Sequence, residues 1–70
     1  MKPHKGTLNL WRKVTYSNGY NYEGIFEGHP EFNGSMGYTS LILKEEGKEI
    51  ETLNSRYTLG EPLPENMEWI

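Results

Sequence analysis

The seventy-residue chain contains no cysteine. That excludes a disulfide framework and any metal site built on thiolates. A domain this short buries only about 60% of the surface its unfolded chain exposes, so one core alone gives marginal stability. With no disulfide to help, association between copies is the expected source of further burial. Histidine is scarce too. His4 and His29 stand far apart with no third ligand placed beside them, so neither a metal site nor a cofactor is expected.

Long apolar runs are also missing. Lys2 and Lys5 are basic, but no apolar segment follows them, so neither a signal peptide nor a membrane span is expected. Low-complexity runs and internal repeats are absent. The glycines match neither the dinucleotide fingerprint nor the P-loop. No serine or acid is placed to complete a relay with His29, which leaves a loop histidine as the plainer reading and no enzyme as the expectation. No stretch carries the apolar period of a helix of ordinary length.

Net charge is −3, which is not the footprint of a general nucleic-acid binder. The charge is uneven. Residues 1–13 carry +4 from Lys2, Lys5, Arg12 and Lys13, and the remainder carries −7. All ten acids are glutamates, spread over strands and turns. They can imitate a phosphate backbone or simply solvate the surface, and spacing favours solvation.

What is present is β pattern. Met1 to Gly6 reads as a flexible arm. From Thr7 the residues alternate, with Leu8, Leu10, Val14 and Tyr16 on one face; Arg12 breaks that face and implies a bulge or a strand end near Trp11-Arg12. Asn18-Gly19 is a strong signal for a type I′ hairpin. Tyr20, Tyr22 and Phe26 share a face of the second strand with Gly24, where a bend or a close approach of another side chain is expected. Gly28 to Gly37 is one long loop, whose amides can serve an anion or simply connect two strands; Phe32 and Met36 are expected to pin it.

Gly37 to Gly60 reads as one long hairpin about Glu46-Gly47. Its arms are Tyr38 to Lys44 and the return from Glu49, with a phase slip at Asn54-Ser55 before a short strand Arg56 to Leu59. Leu41, Leu43, Ile50, Tyr57 and Leu59 are the expected core of this unit. Gly60, Pro62 and Pro64 end it, and 61–70 reads as a docked tail. The whole is one all-β domain: a small antiparallel barrel, or a strongly bent sheet of four to five strands, of the Src-homology or Tudor kind.

Around the far end of that hairpin the register gathers Tyr38, Thr39 and Ser40 with Asn54, Ser55, Arg56 and Tyr57. Arg56 offers a fork for phosphate, Tyr57 or Tyr38 a stacking face, and Thr39, Asn54 and Ser55 polar contacts. The competing reading has Asn54 and Ser55 bonding their own backbone at a bulge and Arg56 paired with a glutamate. Trp11, on the polar face of the first strand, and Trp69 in the tail are expected at an interface between copies.

The wording YTSLIL, a turn, then IETLNSRYTLG resembles short uncharacterised bacteriophage and prophage proteins with a Thr-Ser strand followed by a Glu-Thr-x-Asn-Ser-x-Tyr-x-Leu return strand. The resemblance covers about residues 20–60. It implies a phage origin and the cytoplasm of an infected bacterium. By analogy with other small phage proteins, it implies a binder that counters bacterial immunity. The favoured form is a homo-oligomer that sequesters a small nucleotide signal. The alternatives are an inhibitor that binds a host defence protein directly, or a structural phage module.

Overall fold

The computed structural model describes residues 2–67. Six strands form one sheet: β1 (His4–Tyr16), β2 (Gly19–Glu27), β3 (Met36–Tyr38), β4 (Lys44–Glu46), β5 (Glu49–Glu51) and β6 (Arg56–Leu59). Their order is β3-β2-β1-β6-β5-β4, with every neighbouring pair antiparallel except β1 and β6. No helix occurs among the described residues. The all-β class and the strongly bent sheet are as expected. The strand number is six because the expected strand from Tyr38 to Lys44 is two strands separated by a kinked link.

That link, residues 39–43, produces the bend. Thr39 and Ile42 donate their N–H groups to the carbonyls of Tyr22 and Tyr20, both at 2.9 Å, and so stay with β2. Leu43 then donates to Glu51 at 2.8 Å, on β5. The chain thus leaves one end of the sheet and arrives at the other. The two ends are tied by these bonds and not by a continuous ladder, so the sheet curls without closing into a barrel.

A side-chain clasp reinforces the tie. The phenols of Tyr20 and Tyr22, on β2, donate to the Glu45 carboxylate, on β4, at 2.8 and 3.0 Å. The Tyr22 phenol is held well above its ordinary pKa, first by burial and then by its bond to Glu45. Tyr20 is raised chiefly by the Glu45 bond.

β1 is the longest strand and lies between β2 and β6. Its register shifts between Asn9 and Arg12, and Leu10 takes a left-handed φ of 51°. A non-glycine residue there costs about 1–2 kcal/mol. The bulge turns Trp11 inward: its ring meets Tyr22 edge-on with centroids 5.3 Å apart, and its Nε1–H donates to the Gly60 carbonyl at 2.9 Å. Gly24 accommodates this. A Cβ at Gly24 would lie 2.7 Å from the Asn9 carbonyl oxygen and 3.0 Å from the Trp11 Cα. The close approach, expected of a side chain, is made chiefly by the bulged backbone of β1.

The core consists of Leu8, Tyr22, Phe26, Ile42, Ile50, Tyr57 and Leu59, with Trp11 and Tyr20 packed against it. Ile50, Tyr57 and Leu59 are core as expected; Leu43 is 61% exposed and Leu41 only half-buried. The kink explains the exchange. It breaks the two-residue alternation, so Thr39 and Ile42 both point inward.

Three further expectations are corrected. Gly37 to Gly60 is not one hairpin: β4 and β5 pair about Gly47, whose φ is 58°, and β5 and β6 then form a second hairpin through residues 52–55. The first hairpin turns one residue early, at Ser17-Asn18, since Tyr16 pairs with Gly19 and neither turn residue has positive φ. The N-terminal arm is docked. His4 to Gly6 belong to β1, the Lys2 ammonium donates to the Thr52 carbonyl at 2.8 Å, and the Pro3 carbonyl accepts from Arg56 N–H. The tail docks through Leu63, whose N–H donates to the Trp11 carbonyl at 2.9 Å, while Met67 is 53% exposed.

Candidate ligand cavity

A cavity of about 550 Å³ opens where the long loop, the kinked link and the β5–β6 turn meet. Its size lies within the range of about 300–1,000 Å³ usual for small-molecule sites. The loop contributes His29, Glu31 and Phe32, and the link contributes Ser40, Leu41 and Leu43. The turn contributes Thr52, Leu53, Asn54 and Ser55, with Tyr57 from β6 and Lys5 from β1.

His29 organises the loop side. It is 5% exposed, and its Nδ1 accepts the N–H groups of Glu31 at 3.0 Å and Phe32 at 3.2 Å. The neutral ring therefore carries its proton on Nε2. The imidazole lies nearly parallel to Tyr57, with centroids 6.1 Å apart, and 4.7 Å from Phe32. Phe26 backs all three rings. The loop is pinned by this buried histidine together with Phe32, whose half-exposed ring packs on Phe26 and His29, whereas Met36, the other expected pin, is 51% exposed. Two of the amides that an anion would have used are committed to the ring. Gly28 N–H is committed to the Asn33 side chain at 2.7 Å.

The opposite wall is the turn after β5. Thr52 N–H donates to the Ser55 carbonyl at 2.9 Å, which folds residues 52–55 back on themselves. Thr52 and Ser55 are buried, leaving Asn54 exposed and Leu53 70% exposed at the tip. The cavity thus combines an aromatic wall, hydroxyl and amide groups, and one charge of each sign in Lys5 and Glu31. Phe32, Leu43 and Leu53 add exposed apolar surface at its edge.

Of the residues expected to bind ligand, Asn54, Ser55 and Tyr57 line this cavity together, joined by Ser40. The others are elsewhere. Arg56 alternates to the other face of β6, where its Nε–H donates to the Lys2 carbonyl at 2.8 Å. Thr39 is 2% exposed and its groups hold the link: its hydroxyl donates to the Ser40 carbonyl, and its carbonyl accepts from the Asn21 amide. Tyr38 is 73% exposed on β3. Trp11 has its ring against its own core, not on an open face. Trp69 lies outside the described residues.

Sequence reasoning placed neither Lys5 nor Phe32 in the site and read His29 as a loop residue. The available signal was His29-Pro30 at the head of the loop, where a ring nitrogen can accept amides two and three residues on, as Asp and Asn do in turns. Among the described residues no group of three or more His, Asp or Glu is arranged to hold a metal ion. No helix among them is long and apolar enough to cross a membrane. Compared with protein-family models, with curated proteins and with solved structures, the chain matches none.

Proposed function

We propose that this chain is a non-enzymatic binding protein that captures a small nucleotide in the cavity between the long loop and the β5–β6 turn. The observation that carries the reading is the convergence in one cavity of an aromatic wall and a polar rim. Phe32 offers a partly open face for a base, backed by His29 and Tyr57. Lys5 takes the phosphate in the role first expected of Arg56, and Ser40, Asn54 and Ser55 bond sugar or base edges. Base stacking on an aromatic side chain is worth about 1–3 kcal/mol, which makes Phe32 the residue whose loss is felt most. In the setting that the phage resemblance implies, this capture withdraws a nucleotide signal of bacterial immunity in the host cytoplasm, with the protein acting as a homo-oligomer.

The test is a titration with a panel of cyclic and linear nucleotides, read by melting temperature and binding heat. At least one is expected to bind, and Phe32→Ala and Lys5→Ala are expected to weaken it at least tenfold each. If no nucleotide shifts the melt or gives heat, sequestration is refuted.

The exposed apolar edge supports a second reading, in which Phe32, Leu43 and Leu53 dock against a host defence protein. Under it, a purified stoichiometric complex with that protein is lost on Leu53→Lys and indifferent to every nucleotide. A complex unaffected by Leu53→Lys contradicts docking at this edge.

A further inference from the structure

The curled sheet ends in two edge strands that differ in kind. β4 is Lys44, Glu45 and Glu46, all exposed and all charged, the usual protection against edge-to-edge pairing. β3 is Met36, Gly37 and Tyr38, with no charge.

The phase of the β2–β3 ladder determines what β3 presents outward. Phe26 N–H donates to the Ser35 carbonyl at 3.0 Å, and Thr39 N–H to the Tyr22 carbonyl at 2.9 Å. Residues 35, 37 and 39 therefore direct their main-chain groups at β2. By the alternation of an antiparallel ladder, Met36 and Tyr38 direct theirs away from it. Their side chains are 51% and 73% exposed. Gly37 between them faces inward, since a Cβ there would lie 2.9 Å from the Phe26 ring.

We propose that β3 is a dimerisation edge whose occupant is β3 of a second copy, paired antiparallel about a two-fold axis through Gly37. In that register Met36 stands opposite Tyr38 of the partner subunit, and Tyr38 opposite the partner's Met36. Both are hydrogen-bonded pairs, each exchanging two N–H···O bonds, so all four outward groups are satisfied at once. Each pair also sets a thioether beside an aromatic ring on the exposed face. The carboxylate beside Tyr38 across the ladder, Glu23, is held by Arg12 at 2.6 Å, so its charge is paired within each copy. A seventy-residue domain without disulfides gains burial this way. The contact is small, and the dimer is accordingly weak and concentration-dependent.

Sedimentation velocity over a concentration series tests this independently of any ligand. The wild-type mass is expected to rise from 8.1 kDa towards twice that value. Tyr38→Pro deletes an outward N–H without touching the β2 ladder, and Met36→Lys places charge on the edge. Both are expected to remain monomeric at every concentration with the cooperative melt retained. Should Tyr38→Pro fail to fold, Met36→Lys decides alone. Leu53→Lys, on the cavity edge, is expected to dimerise as wild type does. A wild-type chain that stays monomeric overturns the proposal, as does a dimer that survives the β3 substitutions or is dispersed by Leu53→Lys.

Discussion

Removing one oxygen atom, in Tyr22→Phe, tests how the sheet is held in its curl. The Tyr22 ring is 3% exposed, and its hydroxyl reaches both oxygens of Glu45, at 3.0 and 3.1 Å. The substitution keeps the ring packing and deletes only this clasp between β2 and β4. Hydrogen bonds to charged groups contribute about 1.5–3 kcal/mol. Glu45 is exposed and keeps Tyr20, so the low end applies, about 1.5 kcal/mol. For a domain of this size that lowers the melting temperature by roughly 6–12 °C, at about 4–8 °C per kcal/mol. A cycle of Tyr22→Phe, Glu45→Ala and the double variant, measured by chemical denaturation, is expected to give a coupling of about 1 kcal/mol. The pH dependence has a definite sign. Both phenols are raised in the folded state, so the fold keeps protons that the unfolded chain releases near pH 10. Their contribution is complete below that pH and is lost as pH rises through the folded values. Wild type should therefore lose stability faster than Tyr22→Phe above about pH 10. Equal stability at pH 7, or parallel alkaline slopes, would refute the clasp. Amide exchange at Ile42 and Leu43 gives the local readout, because their bonds to β2 and β5 span the joint that the clasp closes.

Other positions carry sharper local consequences. Gly24→Ala places a methyl against the Asn9 carbonyl and the Trp11 Cα, and is expected to cost about 1–3 kcal/mol in a denaturant melt. His29→Ala leaves the Glu31 and Phe32 amides without their acceptor and strips a ring from between Phe32 and Tyr57. Its expected mark is faster hydrogen exchange and proteolysis within residues 28–35, with the β1–β2 hairpin protected. Arg56→Ala removes the bond to the Lys2 carbonyl and is expected to cost about 1 kcal/mol, while nucleotide capture stays at the wild-type level because Arg56 lies outside the cavity.

The strands that alternate cleanly were legible in the sequence. Tyr20, Tyr22 and Phe26 share the buried face of β2, and Arg56 to Leu59 is β6 residue for residue. Gly24 announced a close approach, though of a side chain, where the bulged backbone of β1 makes it. Legibility failed wherever the chain leaves the two-residue period. The kink at residues 39–43 puts Thr39 and Ile42 inward and Leu43 outward, an outcome set by bonds to two distant strands that no local pattern encodes. Leu10, an aliphatic residue in a left-handed conformation, turned Trp11 from an expected interface into a core wall. The same limit governed the site. Asn54, Ser55 and Tyr57 were adjacent in the chain and could be grouped, but Arg56 lies among them in sequence and on the opposite face in space. Lys5, His29 and Phe32 reach the cavity from elements that only the fold brings together.

The central claim is that this cavity captures a small nucleotide. It is tested most directly by mapping amide chemical-shift changes while a nucleotide panel is titrated into the protein. Saturable changes centred on Lys5, His29, Phe32, Ser40, Asn54 and Ser55, with Arg56 and the β1–β2 turn unmoved, are the predicted result. A panel that moves no resonance at saturating concentration, or one whose changes centre on Arg56 and Lys2 instead, would contradict it.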